Sequence, residues 1–212
     1  MTAPTKILLV DDHAVVRQGY RRLLEDEAGI RVIGEASNAA QACEQARLLG
    51  PDVVVMDIAL PGLSGIEATR RMLKDQPRLR ILMFSMYDDA IYARRALEAG
   101  ALGYLSKASA PEVLVQAIYA VSRAERYVSP DVATNIARSA AQPGKSELDT
   151  LTPREFEVLR LLAQGETVRS ISEKLALSEK TVANHQSAIR EKLGARNGAQ
   201  LARLASQLDL SV

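Results

Sequence analysis

Three runs of four consecutive apolar residues constrain the first half of the chain: Ile7-Leu8-Leu9-Val10, Val53-Val54-Val55-Met56 and Ile81-Leu82-Met83-Phe84. A strand with one solvated face alternates apolar and polar residues. An unbroken run predicts a strand covered on both faces, which requires helices on both sides of a parallel sheet. Weaker strands are expected at 31–36 and 101–105, and amphipathic stretches at 14–27, 38–49, 64–76, 88–98 and 110–122 supply the helices. Ser64-Gly65-Ile66-Glu67 and Ser109-Ala110-Pro111-Glu112 have the S-x-x-E form of a capping box. Gly50-Pro51 and Gly100 stand where helices should stop. Five strand–helix units predict a doubly wound α/β domain with a five-stranded parallel sheet over residues 1–123.

The alternation ends there. Residues 124–149 are expected as a linker, because 139–149 are small, polar and punctuated by Pro and Gly. From Leu151 onward the pattern is helical throughout, predicting a smaller all-α domain over 150–212. Thr152-Pro153-Arg154-Glu155 combines an N-cap, a Pro at the first helical position and a closing Glu. Apolar stripes then predict four helices, through Phe156, Leu159 and Leu162; Val168, Ile171 and Leu175; Val182, Ile189 and Leu193; and Leu201, Leu204, Ala205 and Leu208. A length of 212 residues suits two small domains.

Composition narrows the function classes. Cys43 stands alone, so neither a disulfide framework nor a cysteine zinc site can form within one chain. No apolar run reaches the roughly 18–20 residues that cross a bilayer. The N-terminus enters a strand pattern without a signal-peptide segment, and the expectation is a cytoplasmic protein without membrane association. Aromatics are 4% with no Trp, which disfavours an aromatic cage.

Ligands of open parallel sheets bind beyond the carboxyl ends of the strands. Those ends carry Asp11-Asp12, Asp57, Ser85 and Lys107. Three converging carboxylates repel one another, and a hard divalent cation such as Mg²⁺ relieves that repulsion. Lys107 offers a point charge for an anion and Ser85 a hydroxyl donor, so the set suits a phosphoryl group on a carboxylate.

The segments Leu8-Leu9-Val10-Asp11-Asp12-His13, Val55-Met56-Asp57-Ile58-Ala59-Leu60-Pro61-Gly62, Phe84-Ser85 and Gly103-Tyr104-Leu105-Ser106-Lys107 resemble the receiver domain of bacterial two-component response regulators, a flavodoxin-like fold. The resemblance implies that Asp57 is the phosphoacceptor. It implies a Mg²⁺ site formed by Asp11, Asp12, Asp57 and the carbonyl of Ala59, with Asp12 the direct ligand of the acid pair. Ser85 and Lys107 would follow the phosphate. Tyr104 matches the switch aromatic, although on residue type alone it reads as a partly exposed tyrosine on a sheet edge. Leu60 departs from the family's frequent Met. His13 reads as a helix-start residue.

Residues 168–193 have the helix–turn–helix length pattern, with the turn at Ala176-Leu177-Ser178 and a second helix suited to the major groove. With Val182, Ile189 and Leu193 inward, Lys180, Asn184, Ser187, Arg190 and Glu191 fall on the outer side, where Lys and Arg suit phosphates or guanine and Asn suits adenine. Leu151-Thr152-Pro153-Arg154-Glu155-Phe156-Glu157-Val158-Leu159, Ile171 to Ser178 and Lys180-Thr181-Val182-Ala183-Asn184-His185 resemble the LuxR-type DNA-binding domain of the NarL/FixJ class. This resemblance adds Thr181 and Ala183 to the expected DNA contacts. Ala183, Val168 and Gly198 stand where the family commonly has Lys, Asn and Arg, which predicts weak monomer binding.

Together the two resemblances imply a phosphorylation-regulated transcription regulator rather than an enzyme. Its expected partners are a sensor histidine kinase, double-stranded DNA and, when phosphorylated, a second copy of itself. Two other classes share the residues: an aspartate-dependent phosphatase, which would normally carry a second Asp where Ala59 stands, and a phosphorylation-independent DNA-binding or scaffolding protein. Whole-chain charge does not discriminate among them. It is 27 basic against 26 acidic residues, while 152–204 alone carries nine basic and six acidic.

Overall fold

The computed structural model describes residues 3–88, 90–140, 148, 150–175, 177–198, 200–201 and 204. Contacts divide the chain into two compact units, Met1–Arg138 and Ser139–Val212.

In the first unit strands and helices alternate: β1 (Thr5–Val10), α1 (Ala14–Glu25), β2 (Ile30–Ala36), α2 (Ala39–Leu49), β3 (Val53–Met56), α3 (Gly65–Asp75), β4 (Ile81–Ser85), α4 (Ala90–Glu98), β5 (Gly103–Ser106), α5 (Pro111–Ser122), β6 (Tyr127–Val128) and α6 (Pro130–Ala140). The strands form one parallel sheet in the order β2-β1-β3-β4-β5-β6. β3 and β4 are buried at every residue, as the unbroken apolar runs require. One face packs Ile7, Leu9, Val53, Val55, Leu82 and Phe84 against Leu24 of α1 and Leu114, Ile118 and Val121 of α5.

The expected five strands become six. After α5 the chain turns through Ala124, whose φ of 61° is left-handed. It then runs beside β5, where Tyr127 N donates to Leu102 O and Ser129 N to Tyr104 O, each at 3.1 Å. A two-residue strand carries no readable period, so only the pairing reveals it. The residues expected as a linker, 124–149, thus carry β6 and α6, while 141–147 and 149 lie outside the described residues.

Two helix starts differ in kind. Ser64 caps α3 by accepting from Glu67 N at 3.4 Å, on the expected signature. Ser109 does not cap α5: Pro111 takes the first helical turn, leaving Ala110 at the N-cap with no side-chain bond.

The second unit comprises α7 (Pro153–Ala163), α8 (Val168–Lys174) and α9 (Glu179–Lys192), with helical backbone again at 198, 200–201 and 204. Thr152 N donates to Glu155 Oε2 at 2.6 Å and Glu155 N to Thr152 Oγ1 at 3.2 Å, closing the capping box on α7. Phe156, Leu159, Ile171, Val182 and Ile189 are fully buried. Ala176 of the expected turn, and Ala205 and Leu208 of the expected fourth helix, lie outside the described residues.

Candidate functional site

The strand ends bring the acidic residues together with one lysine. Asp57 N donates to Val10 O at 2.9 Å, which sets the end of β3 beside the end of β1. Lys107 N donates to Ser85 O at 2.8 Å, setting the end of β5 beside β4. Lys107 Nζ then reaches Asp11 Oδ2 at 2.5 Å and Asp57 Oδ2 at 2.6 Å, and all three side chains are nearly buried.

Every oxygen of the two buried carboxylates is engaged. Asp57 Oδ1 accepts from Ile58 N at 2.6 Å, and Asp11 Oδ1 accepts from His13 N at 2.8 Å. Asp12 is the carboxylate left toward solvent, one-third exposed, with His13 Nδ1 2.6 Å from its Oδ1. His13 is the N-cap of α1, as expected, but makes no side-chain cap bond. Ligand atoms of Asp11, Asp12 and His13 lie within 4.8 Å of one another.

His13, Asp57 and Lys107 border a cavity of about 340 Å³ whose lining also includes Tyr20, Ala59 and Ser85. Three carboxylates against one ammonium leave surplus negative charge, and the donors are mostly hard oxygens, so the site fits a divalent cation of the Mg²⁺ type. Burial pushes the Asp57 carboxyl above its ordinary value, although Lys107 and the Ser85 hydroxyl pull it down. Burial also works against the Lys107 charge, but Asp57 and Asp11 overcome it and hold the ammonium above the usual lysine value.

Gly65 explains how α3 can start so close to this site. A Cβ there would lie 1.9 Å from the Asp57 carbonyl oxygen, and Gly65 N donates to Ile58 O at 2.9 Å. The turn from β3 into α3 therefore closes tightly on the Asp57 backbone.

Ser85 is fully buried, and its Oγ accepts from Tyr87 N at 3.4 Å. Tyr104 is also fully buried, not the partly exposed edge tyrosine that its residue type suggests, because β6 covers the edge of β5. Its hydroxyl donates to Tyr87 O at 2.5 Å, and the Tyr87 ring stacks on Tyr92 with centroids 4.6 Å apart.

On α9, Lys180, Asn184 and Ser187 form one exposed stripe with Glu191, and Ala183 is exposed beside it. Thr181 is half-buried, its hydroxyl 2.8 Å from Ser178 Oγ at the helix start. Arg190 does not join the outer stripe. It is half-buried on the flank, donates to Ser187 Oγ at 3.1 Å, and lines a cavity of about 100 Å³ with Leu162, Gln186, Gly198 and Leu201. His185 is half-buried, and burial pushes its imidazole below the ordinary histidine value, with Glu155 opposing and Arg154 assisting.

Two contacts that the sequence reading missed tie α7 to its neighbours, one to α9 and one to the end of α8. Lys192 Nζ at the end of α9 pairs with Glu155 Oε2 at 2.7 Å. Arg154 pairs with Glu157 at 2.6 Å and donates to Leu175 O at 2.5 Å, satisfying a carbonyl at the end of α8. A capping-box glutamate already has a local role, so nothing in the spacing signals its second, long-range partner.

Comparison with known proteins gives matches over both units. Residues 7–119 match the response regulator receiver domain, and 149–205 match the luxR family of bacterial regulatory proteins. The response regulator GacA of Pseudomonas aeruginosa is 40% identical over 202 residues, covering 94% of each chain. The response regulator UvrY of Escherichia coli is 39% identical over 201 residues, covering 94% of this chain and 92% of its own. Among solved structures, RcsB of Salmonella enterica serovar Typhimurium, bound to promoter rprA in the presence of phosphomimetic BeF3-, superposes with a TM-score of 0.67 at 27% identity, over 96% of this chain and 98% of its own. A LuxR-family two-component response regulator from Aurantimonas is 46% identical, with a TM-score of 0.64, over 66% of this chain and all of its own.

Proposed function

The chain belongs to the response regulators that join a receiver domain to a LuxR-type DNA-binding domain, and on that premise we propose that Asp57 accepts a phosphoryl group from a sensor histidine kinase and thereby controls promoter binding by the C-terminal unit. The observation that carries this reading is the Lys107 ammonium bridging Asp11 and Asp57 beside a cavity open to a phosphodonor.

In the transfer, an Asp57 carboxylate oxygen forms the new O–P bond as the N–P bond to the kinase histidine breaks. The Ile58 amide, 2.6 Å from Asp57 Oδ1, orients the carboxylate. Lys107 is placed to follow the new phosphoryl oxygens, and Ser85 lies buried within the same cavity wall to donate its hydroxyl. Asp12, Asp57 and the Ala59 carbonyl would hold Mg²⁺, with Asp11 fixed behind them. Mg²⁺, when bound, neutralises charge on the transferring oxygens. Ala59 stands where an aspartate phosphatase would carry its second Asp, which favours a switch over a turnover enzyme.

Phosphorylation adds roughly −1.5 to −2 charge and three acceptor oxygens. A chain of contacts leads from there to α6, the last helix of the receiver unit. The Tyr104 hydroxyl holds the Tyr87 carbonyl, the Tyr104 carbonyl accepts from Ser129 N, and Asn135 of α6 donates to Asp88 O at 3.1 Å. The loop after β4 is thus held from both β5 and α6. A phosphate that draws the Ser85 hydroxyl toward Asp57 pulls on this loop and shifts the receiver between two states.

The output is DNA binding by α9 through Lys180, Thr181, Ala183, Asn184, Ser187 and Arg190, as a cytoplasmic regulator that pairs when phosphorylated. Ala183 offers only a methyl group, and Val168 and Gly198 add no charge, so pairing on two half-sites about 34 Å apart offsets weak single contacts. RcsB, similar over nearly the whole chain, is known as dimers bound to DNA.

Footprinting a genomic promoter library with and without acetyl phosphate tests the switch. The wild type should gain at least about tenfold in apparent affinity, equivalent to 1.4 kcal/mol of differential stabilisation, and Asp57→Ala should gain nothing. Equal binding in all four arms overturns the reading.

A further inference from the structure

We propose that Arg17, anchored by Glu35, is a positioning residue that fixes the Asp11–Asp12 turn for divalent-cation binding. This rests on the cation-site reading above and assigns it a support outside the carboxylates themselves.

The geometry is a fork between two strands. Arg17 lies in the first turn of α1 and is mostly buried, with 16% of its side chain exposed. Its Nη1 donates to the carbonyl oxygen of Asp11 at 2.6 Å, and its Nε donates to Glu35 Oε2 at 3.0 Å. Glu35 is held in turn by Arg21, whose Nη1 lies 2.6 Å from Oε1. These arginines keep the Glu35 carboxyl below its ordinary value, the Arg21 hydrogen bond contributing most. Glu35 is therefore a fixed anion at neutral pH, and it orients the guanidinium that grips Asp11.

The turn it grips is also tied to β2, where Asp11 N donates to Ala36 O at 3.1 Å. The Asp11 side chain is occupied by Lys107 and by His13 N, and Asp12 is the solvent-facing carboxylate. The direction of the Asp12 carboxylate follows from the peptide that joins it to Asp11, whose carbonyl is the atom Arg17 holds.

Glu35 can take part only because β2 is irregular. Thr5 to Ile7 of β1 pair with Ile30 to Val32, but Leu8 pairs with Gly34, so one residue of β2 is extra. In a regular register Glu35 would stand opposite Val10. The bulge puts it opposite Leu9, whose side chain belongs to the core face beneath α1. A one-residue shift exchanges the faces of a strand, and bulges beside functional sites commonly re-aim a side chain in this way. Here the bulge turns a carboxylate toward Arg17.

Positioning and plain electrostatics predict opposite signs. Removing a positive charge beside a cation site should tighten cation binding if charge alone matters. If Arg17 orients the turn, its removal should weaken binding, and lost support behind metal ligands typically costs 10–100-fold in affinity. Titration of Mg²⁺ into the full chain, followed by calorimetry without any phosphodonor, reads this directly. Arg17→Met is expected to raise the Mg²⁺ dissociation constant at least about tenfold. Arg17→Lys keeps the charge but loses the fork, and should weaken binding several-fold; it also serves if Arg17→Met fails to fold by circular dichroism. Unchanged or tighter binding in a folded variant overturns the proposal. Absence of Mg²⁺ binding by the wild type overturns the cation-site reading beneath it.

Discussion

Lys107 holds apart two carboxylates that would otherwise be buried against each other. Its ammonium lies within 2.6 Å of both Asp11 and Asp57, with little solvent to screen either contact. Breaking a buried pair leaves an uncompensated charge and costs about 3–5 kcal/mol. Lys107→Met should therefore lower the thermal midpoint of the receiver unit markedly, and added Mg²⁺ should restore part of the loss by supplying the missing positive charge. Thermal melts of wild type and variant with and without Mg²⁺ check this; a variant whose midpoint ignores the cation would argue against the charge account. Asp57, Ser85 and Lys107 were legible in the sequence because each ends or directly follows a buried strand. The fork of Arg17 was not, since an arginine in an amphipathic helix reads as a solvated charge.

At the scale of elements, helix starts with local chemistry were readable and strand partners were not. The capping box at Thr152 and Glu155 lies within four residues and forms as its spacing requires. Loss of such a cap costs about 0.5–2 kcal/mol, so Thr152→Ala should lower the unfolding midpoint of the DNA-binding unit while leaving the receiver transition in place. Calorimetry of the full chain resolves which transition moves. Ser109 shows the limit of the same signature, because Pro111 displaced the cap by one residue. β6 and the bulge in β2 lay beyond pattern reading altogether. Each is defined by which residue of another strand it faces, and no periodicity within two or seven residues encodes that.

The whole molecule distributes its charge unevenly between its two tasks. The segment 152–204 carries nine basic and six acidic residues, a modest excess for a DNA reader. Among the described residues four of its cations, Arg154, Arg169, Lys174 and Lys192, are paired with Glu157, Glu173, Glu166 and Glu155. Lys180 stands at the exposed start of α9, beyond the Ser178 cap. Lys180→Ala should weaken operator binding at all sequences and reduce the slope of log affinity against log salt by about one. Binding measured across a salt series checks this, and an unchanged slope would remove Lys180 from the phosphate contacts.

The sequence alone determined the two-unit plan, the parallel sheet, most of the helix starts and the set of polar residues at the strand ends. These follow from local rules: burial on both faces writes an unbroken apolar run, and a helix start writes its cap within four residues. Tertiary structure alone decided that Lys107 bridges carboxylates 96 and 50 positions away, that Tyr104 is covered by a sixth strand, and that Glu35 turns toward Arg17. Those outcomes depend on strand order and register, which are settled when distant segments pack together.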